Sequence, residues 1–183
     1  MIRFPKAYAD RVAKLRVPSG FLLVLVFAWF SHPRPRSLAL GLPVSLLGLA
    51  IRAWAAGCLA KNRELATAGP YAFTRNPLYL GTLLVAIGLA VAARSLGLAI
   101  LFGAVFLFVY LPVIQLEEQH LRAIFPEYAA YAIRVPALWP RLKTAALRNP
   151  NPFRIELYLK NQEYNAGAGF AAGMLFLLWK MLG

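Results

Sequence analysis

Long apolar stretches alternate with short polar segments along this chain. They fall at roughly 17–31, 37–60, 77–93, 95–115 and 165–182. A membrane-spanning helix needs ~20 mostly apolar residues, so the pattern predicts about five transmembrane helices, the first and last near the lower limit. The first stretch ends in Ser31-His32-Pro33-Arg34, which offers no small-residue cleavage site, and a retained helix is expected rather than a signal peptide. The second contains Pro43 and one charge, Arg52. Only Arg94 separates the third from the fourth, which predicts an antiparallel hairpin. No repeat of 20–50 residues marks a solenoid, and the two halves do not match as an inverted-repeat transporter would. The expected fold is all-α: one integral membrane helical bundle over residues 1–183, with a core at 17–144 and an extension at 145–183.

Composition agrees. Of the 183 residues, 60% are hydrophobic and 15% charged, where a soluble domain carries about a quarter. Mean hydropathy is +0.59. Disorder is excluded by the low polar content, and a disulfide framework by the lone Cys58.

Charge adds orientation. Lys and Arg number 20 against 7 Asp and Glu, a net +13. Nucleic-acid binding is set aside, because so much uninterrupted apolar sequence would be insoluble outside a membrane. With the N-terminus inside, fifteen basic residues lie on the inner side: five in 1–16, then Lys61, Arg63 and Arg75, then seven in 116–164. Four (Arg34, Arg36, Arg94, Lys180) lie outside, and Arg52 lies within a span. The positive-inside rule therefore predicts a cytoplasmic N-terminus and a C-terminus on the opposite side. All seven acids fall inside, so chemistry is expected at the cytoplasmic surface.

Two groups of residues could carry it. In Gly69-Pro70-Tyr71-Ala72-Phe73-Thr74-Arg75-Asn76-Pro77-Leu78-Tyr79-Leu80-Gly81, Asn76 suits an N-cap and Pro77 the first helical position. The helix start then offers N–H groups to an anion, and Arg75 adds a fork of donors. Tyr79, four residues on, faces the same way. From spacing alone the segment reads first as an ordinary capped helix with an interfacial Arg and Tyr, and second as an anion site. The second group is Glu117-Glu118, expected at the end of the fourth span, where adjacent acids call for something cationic. That partner is either a ligand or Arg122, four residues from Glu118. The antiparallel hairpin brings both groups to one end, where a ligand of mixed charge such as S-adenosylmethionine would suit, among others. Arg52 is expensive in lipid and is expected either to face the bundle interior, meeting a substrate's acidic group or Glu64, or to snorkel to the surface. Trp54 reads as interfacial packing. His120 and His32 are lone histidines. Gly169 and Gly173 form a GxxxG, which reads first as close packing within the chain and second as a dimer contact. No metal-ligand cluster, GxGxxG or Ser/His/Asp pattern is present.

These motifs, with Phe125-Pro126, Tyr128, Tyr131, Arg134-Val135-Pro136 and Pro140, resemble the isoprenylcysteine carboxyl methyltransferase and phospholipid methyltransferase superfamily over about 45–143. The resemblance implies an integral membrane enzyme using S-adenosylmethionine and a lipophilic or prenylated substrate, in contact with membrane lipids. It implies cofactor binding by Arg75, Asn76, Tyr79, Gly81, Glu117 and Glu118, with segment 125–140 closing over the cofactor and Arg52 and Arg134 orienting the acceptor. One departure stands out: the family's Arg-His-Pro is Arg75-Asn76-Pro77, and Asn cannot titrate. Methyl transfer to a carboxylate needs no base, so positioning, with reacting atoms ~3–3.5 Å apart, would suffice. The alternatives are an NADPH-dependent membrane reductase of the sterol reductase type and a non-catalytic membrane scaffold.

Overall fold

A computed structural model describes residues 4–141 and 153–183, with 15–19 described by backbone alone. Arg3, Lys143 and Arg148 of the inner charge count, and the boundary at 144/145, lie outside the described residues; so does the side chain of Arg16.

Among the described residues, eight α-helices follow in order: α1 Lys6–Phe30, α2 Pro35–Gly57, α3 Pro77–Ala93, α4 Leu96–Val105, α5 Leu111–Ile124, α6 Tyr128–Arg134, α7 Ile155–Lys160 and α8 Tyr164–Leu182. A 3-10 turn, Gly69–Ala72, precedes α3, and a π-helical turn, Phe106–Tyr110, joins α4 to α5. The described residues contain no strand.

Among the described residues, three helices are long and apolar enough to cross a membrane: Pro35–Gly57, the continuous Leu96–Ile124, and Tyr164–Leu182. Gly20–Phe30 and Pro77–Ala93 are apolar but shorter. Two boundaries differ from expectation. α1 starts at Lys6 rather than near residue 17, because its basic first turns are good helix formers and continue the same helix. The fourth stretch does not end at Gln115 but runs through Glu117-Glu118 to Ile124. The two acids therefore sit inside a helix, not at its unfavourable C-terminus.

Pro112 accounts for the π turn. It has no N–H to offer the Phe108 carbonyl four residues back. That carbonyl accepts instead from the Tyr8 hydroxyl at 2.8 Å, which ties α1 to this helix. Gln115 adds a two-way bond to the Phe4 backbone, at 2.8 and 2.9 Å.

The closest pairing is α2 against α3. Gly41 and Gly48 face Gly88 and Gly81, and a Cβ on Gly48 would fall 2.6 Å from the Gly81 carbonyl oxygen. Such backbone approach is how helices associate in lipid, where burying apolar side chains gains little. At one end of the bundle, the turn after α1 meets the end of α3 (His32 N–H to Ala93 O, 2.8 Å), and Lys180 on α8 donates to Ala28 O at 2.8 Å. Arg94 takes the left-handed conformation (φ 51°) in the two-residue turn to α4, where Ser95 accepts from Leu98 N–H. The functional cluster lies at the opposite end. Phe21, Leu25, Leu40, Ile100 and Leu175 are exposed, as lipid-facing residues would be.

α8 does not pack through its GxxxG. A Cβ on Gly169 or Gly173 would meet nothing within 4 Å. Phe170 and Leu177 are the buried side chains of this helix, so the close intrachain packing expected of the glycines is corrected.

Candidate functional site

The cluster grows from the segment before α3. Gly69 turns with φ 58° and the short 3-10 turn follows. Residues 73–76 are then held along the chain after α6. Arg75 N–H donates to Pro136 O at 2.9 Å, Arg141 N–H to Phe73 O at 3.0 Å, and Thr74 Oγ1 to Ala137 O at 3.2 Å. Tyr131 donates to Tyr71 O at 2.7 Å. The 125–140 segment thus closes onto the Thr74–Asn76 backbone.

Arg75 commits its guanidinium within the chain. Nε and Nη2 grip Glu118 at 3.0 and 2.9 Å, while Nη1 donates to Ala132 O at 2.6 Å and Val135 O at 3.1 Å. The pair is largely buried, with side chains 11% and 12% exposed. The donor fork expected to take a ligand's anion therefore takes Glu118. Glu118 does not pair with Arg122, whose guanidinium lies 5.3 Å from the centre of the Tyr128 ring.

Asn76 occupies the N-cap position of α3, but its side chain does not cap the helix. Nδ2 donates to Glu118 Oε1 at 3.3 Å and to Ala137 O at 2.9 Å. Its amide nitrogen is committed to these two acceptors, and its Oδ1 accepts from no helix N–H. Tyr79 donates its hydroxyl to Glu117 Oε1 at 2.8 Å, with its ring edge against Tyr110. Glu117 itself is exposed. One carboxylate is thus buried and paired, and the next is oriented by Tyr79 and open to a ligand.

Three predicted residues stand apart from this cluster. Gly81 serves packing: a Cβ there would fall 2.6 Å from the Gly48 carbonyl oxygen. Arg134 is exposed and donates only to Ala130 O, at 3.3 Å, among the described residues. Arg52 faces inward as expected, but its partner is Glu163, with Nε and Nη2 on the two carboxylate oxygens at 2.6 and 3.0 Å. Nη1 donates to Thr82 Oγ1 and to Leu78 O. Glu64, the partner weighed from sequence, pairs instead with Arg154 at 2.8 Å.

Sequence reasoning missed Glu163 and Thr82. A signal existed: a charge inside a span demands a partner, and Glu163 immediately precedes the last apolar stretch. The extension is sewn to α2 in two further places. Asn161 Nδ2 donates to Ala56 O and Leu59 O, both at 2.9 Å, and Arg154 N–H donates to Gly57 O at 2.9 Å.

Burial raises the hydroxyl pKa of Tyr71, Tyr128 and Tyr131, all outside the spans. The next largest causes are Tyr131 for Tyr71, the charge of Glu118 for Tyr128, and Tyr128 for Tyr131. These phenols stay protonated at neutral pH and are not bases; of the three, Tyr131 donates, to Tyr71 O.

The apolar helical bundle thus sets two adjacent carboxylates, Glu117 and Glu118, against an Arg-Asn-Pro helix start. Residues 38–128 match the phospholipid methyltransferase family, and that segment places the chain in it. The match ends before α7 and α8, so Glu163 lies outside it.

Two curated relatives are similar over a wider stretch. The cobalt-zinc-cadmium resistance protein CzcN of Cupriavidus metallidurans is 36% identical over 141 residues, 72% of this chain and 64% of the relative. The nickel-cobalt-cadmium resistance protein NccN of Alcaligenes xylosoxydans xylosoxydans is 37% identical over 107 residues, 55% of this chain and 50% of the relative. The matches thus span between half and two thirds of these relatives' own length. No solved structure matches the chain significantly. Among the described residues, no group of three or more His, Cys, Asp or Glu could hold a metal ion.

Proposed function

We propose that this protein is an S-adenosylmethionine-dependent methyltransferase. It acts on a lipophilic acceptor, a lipid amine or an isoprenylcysteine-like carboxylate, at the cytoplasmic face of a membrane. The observation that carries this reading is the convergence of Tyr79 with Glu117, and of Arg75 and Asn76 with Glu118, from segments about 40 residues apart. The donor set fits the cofactor. Glu117 is an exposed carboxylate with one oxygen steadied by Tyr79, suited to ribose hydroxyls or an ammonium.

When bound, the cofactor supplies a methyl group activated on a sulfonium. The chain's own residues bind and orient. Glu117 receives the ligand's donors. Arg75 and Glu118 fix the 73–76 segment against α5, so that Asn76 and Tyr79 keep their places. The apolar flanks of α3 and α5 exclude water from the reacting pair. Asn76 replaces an imidazole and holds no exchangeable charge, so this reading asks for no proton transfer at that position. Arg52 is engaged by Glu163, which favours a structural role over contact with the acceptor.

The positive-inside count supports five spans with the cluster on the cytoplasmic side. The short Gly20–Phe30 and Pro77–Ala93 stretches would cross where the bilayer is thin or the neighbouring helices shield their ends. The names of the two relatives supply a setting: methylation within a heavy-metal resistance system.

The test is transfer of labelled methyl from S-adenosylmethionine to the lipid fraction of membranes carrying the protein. Label in lipid that is lost in Glu117→Gln supports the reading. Label equal to that of membranes without the protein, across lipid amines and lipophilic acids, counts against it.

A further inference from the structure

A second site lies outside the carboxylate cluster. The loop after α2 and the face of α7 flank an open hollow of about 270 Å³. Its lining includes Lys61, Arg63, Glu64, Arg154, Lys160 and Asn161. Four cations thus surround one acid, and Arg154 already pairs with that acid at 2.8 Å. Lys61, Arg63 and Lys160 have no hydrogen bond or ion pair from their side chains among the described residues. Glu156, four residues before Lys160, lies beyond 4 Å of it and forms no bridge.

Three further acids are engaged elsewhere. Glu163 holds Arg52, Glu118 holds Arg75 and Glu117 accepts from Tyr79. Three like charges gathered round a small concavity repel one another, and an anion between them relieves that repulsion.

The backbone on both sides of the hollow is fixed by local contacts. Asn161 is held by the Ala56 and Leu59 carbonyls, and Asn62 turns with φ 59° between Lys61 and Arg63. Its surroundings are those of a membrane surface. Ile155 and Leu159, one turn apart on α7, are exposed, as are Phe153 and Tyr164. An apolar face beside a cationic one is what an interfacial helix presents to lipid.

We propose that this cavity binds a phosphate-bearing anion at the membrane surface, with Lys61, Arg63 and Lys160 as its donors. The site shares no residue with the carboxylate cluster and does not depend on the methyl-transfer reading.

The experiment uses the full chain in zwitterionic detergent and titrates dihexanoyl-phosphatidylglycerol, dihexanoyl-phosphatidylcholine and inorganic phosphate by calorimetry. The triple variant Lys61→Gln, Arg63→Gln, Lys160→Gln is compared with Lys6→Gln, Arg11→Gln, Lys14→Gln, which removes the same charge from α1. Wild type should bind phosphatidylglycerol at least about tenfold more tightly than the cavity variant. The α1 variant should bind as wild type does. Phosphatidylglycerol well ahead of inorganic phosphate assigns the anion to a lipid head group, and equal binding of the two assigns it to free phosphate. Unchanged binding of both probes in a folded cavity variant overturns the proposal. So does an equal loss in the α1 variant, which would reduce the effect to bulk charge.

Discussion

Arg75 grips Glu118 across two segments of the chain, at 3.0 Å from Nε and 2.9 Å from Nη2, with both side chains almost fully buried. The pair fastens the start of α3 to α5 and leaves neighbouring Glu117 exposed. Two adjacent carboxylates thereby acquire different duties. Removing one partner of a buried pair costs about 3–5 kcal/mol, because the other charge is stranded. Glu118→Ala should therefore lower thermal stability in detergent sharply, while Glu117→Gln, at an exposed position, should change it by less than about 0.5 kcal/mol. Unfolding followed by intrinsic fluorescence checks both.

Arg52 and Glu163 offer a double-mutant cycle. Either single replacement, Arg52→Met or Glu163→Leu, should cost about 3 kcal/mol or more. The double variant should recover most of that loss, since an apolar pair can replace a buried ionic one. Additive losses would show that the two residues act independently. Glu163→Leu should also free the 153–163 segment, read as faster proteolysis there.

Gly81 tests the helix contact. A methyl group would fall 2.6 Å from the Gly48 carbonyl oxygen, so Gly81→Ala must push α2 and α3 apart. Overpacking of this kind costs about 1–3 kcal/mol. Gly103, with nothing within 4 Å of an added Cβ, is the control, and Gly103→Ala should be neutral or slightly stabilising. Thermal unfolding of the two variants separates packing from cofactor contact.

The buried tyrosines predict alkaline behaviour. The unfolded chain releases phenol protons near pH 10, whereas the fold holds Tyr71, Tyr128 and Tyr131 protonated well above that. Their contribution to stability is complete below about pH 10 and is lost as pH rises through the folded values. Of the eight tyrosines, these three should gain phenolate absorbance only as the protein unfolds. A smooth titration of all eight near pH 10, without unfolding, would contradict this.

Much of the arrangement was legible in sequence. Apolar run lengths marked α2, α3 and α8 to within a few residues, and Asn76-Pro77 marked the start of α3. Hairpin topology placed Glu117 and Glu118 beside Arg75. The pairings were less legible, because spacing names neighbours on one helix and not across helices. Arg122 was four residues from Glu118, yet Arg75 won: a guanidinium fork fits a carboxylate, and burial strengthens the pair. Arg52 required an acid, but seven acids on one side left the choice to tertiary contacts, which selected Glu163. Gly81 read as part of a ligand motif, whereas its missing side chain serves the α2–α3 contact. The helix through Glu117 and Glu118 was cut short in the sequence reading, because hydropathy falls there while helix propensity does not.

The most direct measurement is calorimetric titration of the detergent-purified protein with S-adenosylhomocysteine, beside Glu117→Gln. The account predicts micromolar binding by wild type and a loss of about tenfold or more in a variant of unchanged thermal stability, the cost of one hydrogen-bonded charge. Equal affinity in both proteins, or no binding by folded wild type, would contradict it.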